Sequence, residues 1–390
     1  MKTDPGTQSW LRAHNDRAAL RLLLDHGPLS RAQLGELSGM SKPTARQMVA
    51  RLERIGLIAP VGQVTGQRGP NAVAYGVRAD TITGVAISML ADSIQAVGVD
   101  PTGTEHEIVE IPTAGRHRSP AADVTAAVAA ACAAAGLRPD SVSVVAVGVQ
   151  AAVDEVADSL SLTDTLPGWP AQGARAELEA ATDLTVILEN DVNLATMAER
   201  VMGVAKDATE FAYLWVGHGI GLGIDLGGVV HRGATGGAGE IGYLETPRSA
   251  ERLDPDADDF TDLLGSPSML TMLGREQDSL ERALPLLAGR PELVVALADR
   301  IALALQPTCA VLDPGLIVLG GPTCLAAGPS LAALVAERMA ETYPGLRVEL
   351  SGVGDQPVLL GARRLLVATL REQLEARISQ SIEMETEGES

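Results

Sequence analysis

Residues 189–199 read ENDVNLATMAE and join a predicted strand to a predicted helix. The apolar run 185–188 before them has the composition of a buried strand, and 192–202 has the periodicity of a helix. The same alternation recurs after residue 80, with strand-like runs at 84–89, 96–99, 143–150, 185–188, 211–216 and 316–319. Alternating strands and helices predict an α/β fold with a largely parallel sheet.

Asp191 opens this helix, and its position allows three roles. Free amides and the helix dipole stabilise an ionised carboxylate at a helix N-terminus, so Asp191 could cap the helix. That stabilisation would lower its basicity, which suits a group that accepts a hydrogen bond from a ligand hydroxyl better than one that removes the proton. Capping, hydroxyl binding and proton abstraction all remain open at this point.

Charge is distributed unevenly along the chain. The 390 residues carry 30 Lys and Arg against 50 Asp and Glu, a net charge of −20. The first 80 residues nevertheless carry 11 basic and 6 acidic residues. An acidic body repels phosphate and a basic head attracts it, which is typical of a DNA-binding domain attached to a body that does not bind DNA.

Cysteine and hydropathy patterns argue against disulfides, metal clusters and membranes. Cys132, Cys309 and Cys324 are far apart and lack CxxC spacing, so they are predicted to be buried small hydrophobes. Residues 1–15 lack the apolar region of a signal peptide, and no uncharged apolar run is long enough to cross a bilayer. We therefore expect a cytoplasmic protein without membrane contact.

The first 80 residues contain the pattern of a helix-turn-helix. Three helical segments are predicted: one over about 16–26, a short one capped by Ser30 and a third capped by Ser41. Leu34 and Leu37 are expected to face inward on the second segment. The third segment has an apolar stripe of Ala45, Met48, Val49 and Leu52.

The polar face of the third helix is the candidate DNA-contacting surface. Residues near the N-terminus of such a helix reach base edges in the major groove, where Gln47 could pair with adenine and Arg46 with guanine or phosphate. The run 58–77 is predicted to form a β-hairpin wing, with Arg68 placed to contact a minor groove or phosphate. The candidate set is Ser41, Lys42, Pro43, Thr44, Arg46, Gln47, Arg51 and Arg68. The alternative is a helical interaction domain whose arginines are merely solvated.

Three blocks of the body carry a family resemblance. They are LENDVNLATMAE at 188–199, YLWVGHGIGLGIDLGGVVHRGATGGAGEIGYLET at 213–246 and LDPGLIVLGG at 312–321. Their order and spacing resemble the ROK family (repressors, open reading frames and kinases), and the winged helix is similar to its xylose and N-acetylglucosamine repressor branch. The resemblance spans about 15–371. It implies a two-lobed, actin-like (ribonuclease-H-like) ATPase fold, whose cleft binds sugar and, in the kinases, ATP.

The sequence departs from the family at three places, and two of them concern phosphate and zinc. The first phosphate loop of the kinases, of the DxGGT type, reads AISMLAD at 86–92, where Met89 and Leu90 would occupy phosphate space. The zinc cluster of the CxCxxxxC kind is missing from GEIGYLETPRSAERLDPDADD at 239–259, where Tyr243 replaces a histidine. We therefore expect neither a structural zinc nor a nucleotide cofactor.

Part of the sugar pocket is retained. Asn190 and Asp191 match the family's sugar-binding pair, whose Asp is the catalytic base of the kinases, and Glu240 matches the Glu of GEIGH. The sugar-side loop, usually containing Pro-Gly, reads GVQAAVD at 148–154. The candidate effector-binding residues are Gln150, Asn190, Asp191, Glu240 and Tyr243. Because no phosphate loop positions a γ-phosphate, we expect Asp191 to hold a hydroxyl and cap its helix, and we assign no catalytic residue.

Glycine-rich blocks match two further nucleotide loops of the family. The run 216–223, VGHGIGLG, matches the second phosphate loop with His218 where Thr is usual, and 319–321 matches the adenosine-side loop. We interpret these glycines as serving strand turns and close packing between the lobes.

The sequence thus predicts three parts. A winged helix-turn-helix covers 1–78, a ROK domain covers 79–376, and an acidic disordered tail covers 377–390. Within the ROK domain, lobe one covers about 79–190 plus the C-terminal helix, and lobe two covers about 191–355.

The predicted function is sequence-specific transcriptional regulation, as a repressor in carbohydrate metabolism. The expected partners are a double-stranded DNA operator, a sugar or sugar-derived effector and further copies of the chain in a homodimer or homotetramer. One alternative is an active ROK sugar kinase carrying a DNA-binding head. Another is a ROK-type regulator that responds to a non-sugar ligand or a protein partner.

Overall fold

The computed structural model describes residues 7–64, 72–90, 92–113, 118–163 and 166–388. The N-terminal part pairs a helical bundle with a small antiparallel sheet of order β1-β3-β2. Its elements are α1 Gln8–His26, β1 Leu29–Ser30, α2 Arg31–Leu37, α3 Lys42–Arg54, β2 Ile58–Val64 and β3 Ala72–Val77. Two helices joined by a short turn, followed by the β2–β3 hairpin, form a winged helix-turn-helix, as predicted.

Capping side chains explain where these helices begin. The hydroxyls of Thr7, Ser30 and Ser41 each accept a hydrogen bond from a backbone N–H of the following turn. The prediction is wrong at two places. α1 begins at Gln8 and not near residue 16, because its first half has no apolar stripe to reveal it. Leu37, at the end of α2, is 52% exposed although it was expected to face inward.

A five-stranded sheet flanked by helices forms the first lobe, with strand order β10-β7-β4-β5-β6. Its elements are β4 Thr83–Met89, β5 Ser93–Val99, β6 Ile108–Pro112, α4 Pro120–Ala135, β7 Val142–Val149, β8 Ala152–Asp154, β9 Ser159–Ser161, α5 Ala174–Thr182 and β10 Thr185–Asn190. α4 and α5 cover one face of the sheet, in a core that includes Val85, Val145 and Leu178.

This sheet is mixed, whereas the sequence predicted a largely parallel one. β10, β7 and β4 run parallel, but β5 and β6 run antiparallel to their neighbours. The connections decide the directions: the short link between β4 and β5 allows only a reversal, whereas the parallel strands are joined through helices.

The second lobe follows a connecting helix, α6 Asp191–Met202. Its sheet has the order β13-β12-β11-β14-β15 and is also mixed. Its elements are β11 Glu210–Val216, β12 Ile220–Leu226, β13 Val229–Val230, α7 Phe260–Leu264, α8 Ser266–Leu273, α9 Leu280–Ala283, α10 Pro291–Leu312, β14 Leu316–Gly320, α11 Gly321–Ala327, α12 Pro329–Met339 and β15 Arg347–Leu350. This lobe has a core of its own, centred on α10 and the sheet.

The last helix, α13 Pro357–Gly388, returns from the second lobe to the first. It covers the sheet face that carries Ala86, Val97 and Val144, and it also packs on α6 and α1. The winged helix-turn-helix, the first lobe and α13 therefore share one continuous hydrophobic core.

The predicted disordered tail over 377–390 is wrong for the residues that the structure describes. α13 continues through Gly388, and Ile378 and Ile382 are buried. Buried apolar residues recur every four positions at Leu366, Leu370, Leu374, Ile378 and Ile382. The acidic composition of the last residues hid this helical repeat.

Polar contacts fix α1 and α13 in an antiparallel arrangement. The donor–acceptor pairs are Arg17–Ser379 at 2.5 Å, Arg21–Glu375 at 2.6 Å and Arg371–Asp25 at 3.0 Å. Each step of four residues along α1 is thus matched by a step of four back along α13. Arg371 Nε also donates to the Pro101 carbonyl at 2.9 Å, which ties the pair to the first lobe.

One helix in the described part of the chain, α10, is long and apolar enough to cross a membrane by length and composition. In the fold 56% of its apolar window is buried, and Leu297, Ile301 and Leu305 lie in the core of the second lobe. α10 is therefore accounted for as a core helix.

Candidate functional site

α3 presents a polar face opposite a buried apolar one. The buried residues are Ala45, Met48, Val49 and Leu52, as predicted from their spacing. Lys42, Pro43, Arg46 and Gln47 are exposed. Within the described ranges Lys42 and Arg46 make no ion pair, so both cations are available to phosphate or base edges.

Ser41 and Thr44 form the start of α3. Ser41 Oγ accepts the Thr44 N–H at 3.4 Å, and the two hydroxyl oxygens lie 2.8 Å apart. Their position at a helix N-terminus suits a phosphate contact, since the first-turn amides and the helix dipole favour an anion.

Arg51, predicted to contact DNA, forms an ion pair with Asp16 in the structure. Its Nε and Nη2 donate to the Asp16 carboxylate at 2.9 and 2.6 Å, and Asp16 is buried. A buried carboxylate needs such a partner, so Arg51 joins α3 to α1 through this ion pair, while its contact with DNA stays a prediction. Arg68, the predicted wing contact, lies outside the described residues.

The candidate effector pocket draws residues from both lobes. β7 and β10 are parallel neighbours that end at the same edge of the sheet. Asn190 is the last residue of β10 and Gln150 directly follows β7, so both lie at that edge. Asp191 comes next, as the first residue of α6, and Glu240 precedes the 3-10 turn Ile241–Tyr243 of the second lobe. Asp191 and Glu240 are close enough for their charges to interact. Four of the five predicted residues therefore converge, and Tyr243, 49% exposed, stands at the end of that turn.

Asn190, and not Asp191, caps α6. Asn190 Oδ1 accepts the Asn193 N–H at 3.0 Å, and its Nδ2 donates to the Ala151 carbonyl at 3.1 Å. The Asn190 amide therefore fixes the sugar-side loop against the helix. Asp191 Oδ1 instead accepts the adjacent Val192 N–H at 2.8 Å, so the predicted capping role belongs to its neighbour.

Burial raises the pKa of Asp191 to about 7. The hydrogen bond from Val192 lowers this pKa, and the charge of Glu240 raises it. Burial likewise raises the pKa of Glu240. The expected low basicity of Asp191 is therefore wrong, because loss of hydration outweighs the helix terminus. Near neutral pH such a carboxylate can accept a hydrogen bond from a hydroxyl and has the basicity to take its proton.

Glu189 and Arg232 border this pocket and were missed by the sequence analysis. Glu189 Oε2 accepts Arg232 Nε at 2.7 Å and pairs with Nη2 at 2.6 Å. Its Oε1 accepts Asn193 Nδ2 at 2.9 Å and the Asn190 N–H at 3.0 Å. The available signal was Glu189 itself, a carboxylate in a buried strand directly before Asn190.

A tight hairpin stands where the kinases have their first phosphate loop. The Leu90 N–H donates to the Ser93 carbonyl at 3.0 Å, and Arg118 Nη1 donates to the Leu90 carbonyl at 2.5 Å. Met89 was expected to fill phosphate space, but it is buried in the first-lobe core beside α4. A side chain at this strand position faces the core and not the cleft.

Glycines of the 216–223 run bring β12 against α6. A Cβ on Gly221 would crowd Val192, and one on Gly223 would crowd Thr196. These contacts agree with the interpretation of the glycines as packing residues. At the preceding turn His218 Nε2 lies 2.8 Å from Glu281 Oε1. A carboxylate beside this loop repels phosphate.

The segment after Tyr243 is held by a buried arginine of α10. Arg300 Nη1 donates to the Leu263 carbonyl at 2.7 Å and to Ser268 Oγ at 2.5 Å, while Nη2 donates to the Leu253 carbonyl at 3.0 Å. Asp254 is 3.4 Å from the same guanidinium. Among the described residues no group of three or more His, Cys, Asp or Glu is placed to hold a metal ion.

Family models match both parts of the chain. Residues 86–255 match the ROK family, and residues 12–59 match a winged helix-turn-helix DNA-binding domain. A xylose repressor of Bacillus spizizenii is 23% identical over 249 residues, which are 62% of this chain and 62% of the repressor. The chain thus matches a little under two thirds of that relative's length. A beta-glucoside kinase of Listeria innocua is 45% identical over 71 residues, 18% of this chain and 24% of the kinase.

Solved structures match over greater lengths. A ROK-family transcriptional regulator, described as a homologue of the E. coli MLC protein, has a TM-score of 0.68 at 19% identity and covers 95% of this chain and 99% of its own. A ROK hexokinase from Thermus thermophilus has a TM-score of 0.58 at 25% identity and covers 75% of this chain and 100% of its own. The expected fold, a winged helix-turn-helix before a two-lobed sugar-kinase-like body, is confirmed. The chain therefore carries a winged helix-turn-helix region followed by a region that matches the ROK family.

Proposed function

We propose that this protein is a sequence-specific transcriptional repressor whose ROK body binds a sugar-like effector without turning it over. The observation that carries the proposal is the exposed polar face of α3, with Lys42, Arg46 and Gln47, on a body in which Asp191 and Glu240 lie close enough for their charges to interact. The match to a xylose repressor supports the same assignment.

The pocket chemistry favours a polyhydroxylated ligand. Carboxylate oxygens accept hydrogen bonds from hydroxyls, and partial burial strengthens each bond. Two neighbouring carboxylates disfavour an anionic ligand such as a sugar phosphate when they are ionised.

Effector binding between the lobes would change how far they close. The body would act as a homodimer or homotetramer in the cytoplasm, where two winged helices bind paired half-sites of an operator. Because half-site spacing is fixed by the DNA, a small lobe rotation can weaken operator binding. No zinc or nucleotide enters this scheme.

A sugar kinase with a DNA-binding head is the second candidate. Asp191 favours it, because a pKa of about 7 suits a general base. The sequence AISMLAD at 86–92 opposes it, because it lacks the glycines and threonine of the DxGGT-type phosphate loop. The kinase requires sugar-dependent ADP formation that disappears in Asp191→Asn. We expect none in the wild-type protein.

The first experiment is a thermal-shift screen against simple sugars, amino sugars, sugar phosphates and ATP, with Asp191→Ala in parallel. Stabilisation by one sugar, growing with its concentration and absent in the variant, would support the effector pocket. The stabilising sugar should then weaken binding of the protein to an operator selected from a random duplex library. If no sugar shifts the melting temperature while operator binding is intact, the regulator responds to a non-sugar ligand or a protein partner.

A further inference from the structure

The Glu189–Arg232 ion pair joins the two lobes directly beside the pocket. Glu189 is the penultimate residue of β10 in the first lobe, and Arg232 follows β13 of the second. Glu189 is 3% exposed, and each of its carboxylate oxygens accepts two donors. Removing Arg232 would leave a buried charge with only neutral donors, which is costly.

The loop that carries Glu240 is attached to both lobes. On the second-lobe side the Leu222 N–H donates to the Gly239 carbonyl at 2.9 Å. On the first-lobe side Gly236 lies so close to the Val153 carbonyl that a Cβ could not fit. Residues 232–238 are closed on themselves by the Ala238 N–H, which donates to the Arg232 carbonyl at 3.1 Å.

Arg232 is therefore the polar attachment of this loop to the strand that leads into Asp191. The loop places Glu240, and β10 places Asp191, so the spacing of the two carboxylates depends on how the loop and the strand are joined. We propose that Arg232 is a positioning residue for effector binding: its ion pair with Glu189 sets the spacing of Asp191 and Glu240 and holds the lobes in the ligand-binding arrangement. This inference rests on the proposed effector function.

The ion pair also explains how ligand and lobe closure are coupled. The ion pair holds the two carboxylates in the ligand-binding arrangement before the ligand arrives. The free-energy cost of ordering the pocket is therefore lower, and the affinity for a ligand that contacts both carboxylates is higher. Without the pair, the protein samples more open arrangements and the apparent affinity falls with the fraction of closed protein.

The test uses Arg232→Met, which keeps the stem without the charge, and Arg232→Lys, which keeps a single donor. The double variant Glu189→Gln with Arg232→Met removes both charges, so that an uncompensated carboxylate cannot cause the effect. Arg248→Met removes an exposed cation from a nearby turn and serves as the matched control. Thermal unfolding of each variant establishes that it is folded.

Two measurements follow on the full chain. Calorimetry gives the affinity for D-xylose, D-glucose and N-acetyl-D-glucosamine. Electron–electron double resonance gives the inter-lobe distance between labels at Ala134→Cys on α4 and Ala333→Cys on α12, both exposed sites, while the native cysteines are buried.

We expect the distribution of distances between the labels on α4 and α12 to be broader or longer in Arg232→Met and in the double variant than in the wild type. The change should be intermediate in Arg232→Lys, and Arg248→Met should give the wild-type distribution. For any probe that the wild-type protein binds, affinity should fall at least about fivefold in Arg232→Met. Distances and affinities equal to wild type in folded Arg232→Met would overturn the inference. If the wild type binds none of the probes but the distances change as expected, the assigned sugar class is wrong while the role of Arg232 in lobe spacing stands.

Discussion

At the scale of single residues, the desolvated carboxylates of Asp191 and Asp16 determine the polar contacts around them. A carboxylate at a helix N-terminus is expected to be strongly ionised, yet burial gives Asp191 a pKa of about 7. An arginine on a recognition helix is expected to meet DNA, yet Arg51 neutralises the buried Asp16. In both cases desolvation of a carboxylate decides the outcome.

Asp191 makes the stability of the protein depend on pH. Its pKa is raised from 3.8 to about 7 on folding, so the folded state holds the proton more tightly and stability falls as pH rises through that window. The rise corresponds to about 4 kcal/mol at most. Asp191→Asn should flatten the decline in unfolding free energy between about pH 5 and 7.5, measured by urea titration.

Glu240 and an exposed aspartate provide the comparisons for this urea titration. Glu240 titrates with the same sign, so a smaller slope should remain in the Asn variant. Asp207→Asn, at an exposed site, should reproduce the wild-type slope. Parallel slopes for wild type and Asp191→Asn would show that Asp191 is ionised throughout.

Arg46 and Gln47 should carry sequence discrimination. Gln47→Ala removes a side chain able to bond two atoms of adenine, a contact worth about 1–3 kcal/mol, and should reduce the ratio of operator to random-duplex affinity. Arg46→Ala should lower both discrimination and salt dependence if the guanidinium also meets phosphate. Fluorescence anisotropy gives both quantities. Lys206→Ala, in the second lobe, is the control, and equal ratios in all three variants would remove α3 from base recognition.

At the scale of elements, the pairing of α1 with α13 is the least expected feature. Neither helix was predicted at its full length, because α1 lacks an apolar stripe at its start and α13 ends in acidic residues. Together they bury one surface and align three polar pairs. The winged helix-turn-helix is thereby held to the first lobe by the far end of the chain.

Ile378→Ala should loosen this attachment. Ile378 is 1% exposed, and truncating a buried isoleucine costs about 2–5 kcal/mol. We expect faster hydrogen exchange in α1 and in the distal half of α13, with α10 unchanged. Arg377→Ala, at the neighbouring exposed position, is the control. Exchange in α1 that stays at the wild-type rate would mean that α1 is held without α13.

Sequence predicted most elements, and it missed contacts between them. The spacing of apolar residues predicted the buried face of α3, the strand–helix alternation predicted the α/β class, and the family resemblance implied the two lobes. Met89, Arg51 and Ile378 could not be placed, because their roles depend on what tertiary structure brings against them. The pocket was predicted as a set by family resemblance, whereas Glu189 and Arg232, which join its two halves, have no sequence signal as a pair.

At the scale of the whole molecule, two hydrophobic cores lie on either side of the division between the lobes. One joins the winged helix-turn-helix, the α13-facing side of the first-lobe sheet and α13, and the other fills the second lobe, while a further core lies under α4 and α5. The DNA-binding domain is therefore expected to move with the first lobe when the lobes close, while the second lobe rotates against both.

Arg300→Met tests this division. It removes four polar contacts in the second lobe, including the donor to the Leu253 carbonyl and the ion pair with Asp254, at a cost of about 2–4 kcal/mol. Hydrogen exchange should rise in α7, α8 and α10 while α1, α3 and α13 keep their wild-type rates. Arg338→Met, which breaks a more exposed ion pair with Asp299, should have a much smaller effect. Equal acceleration across the chain would mean that the two cores unfold as one unit.

The α1–α13 pairing also bears on how the protein is made. During synthesis α1 leaves the ribosome first, but its partners on α13, residues 371–382, emerge more than three hundred residues later. Until then the nascent winged helix-turn-helix lacks its contacts with α13 and depends on its own buried residues, which include Leu20, Met48 and Leu52. A truncated translation product would carry the winged helix-turn-helix without the polar contacts of Arg17, Arg21 and Asp25 to α13.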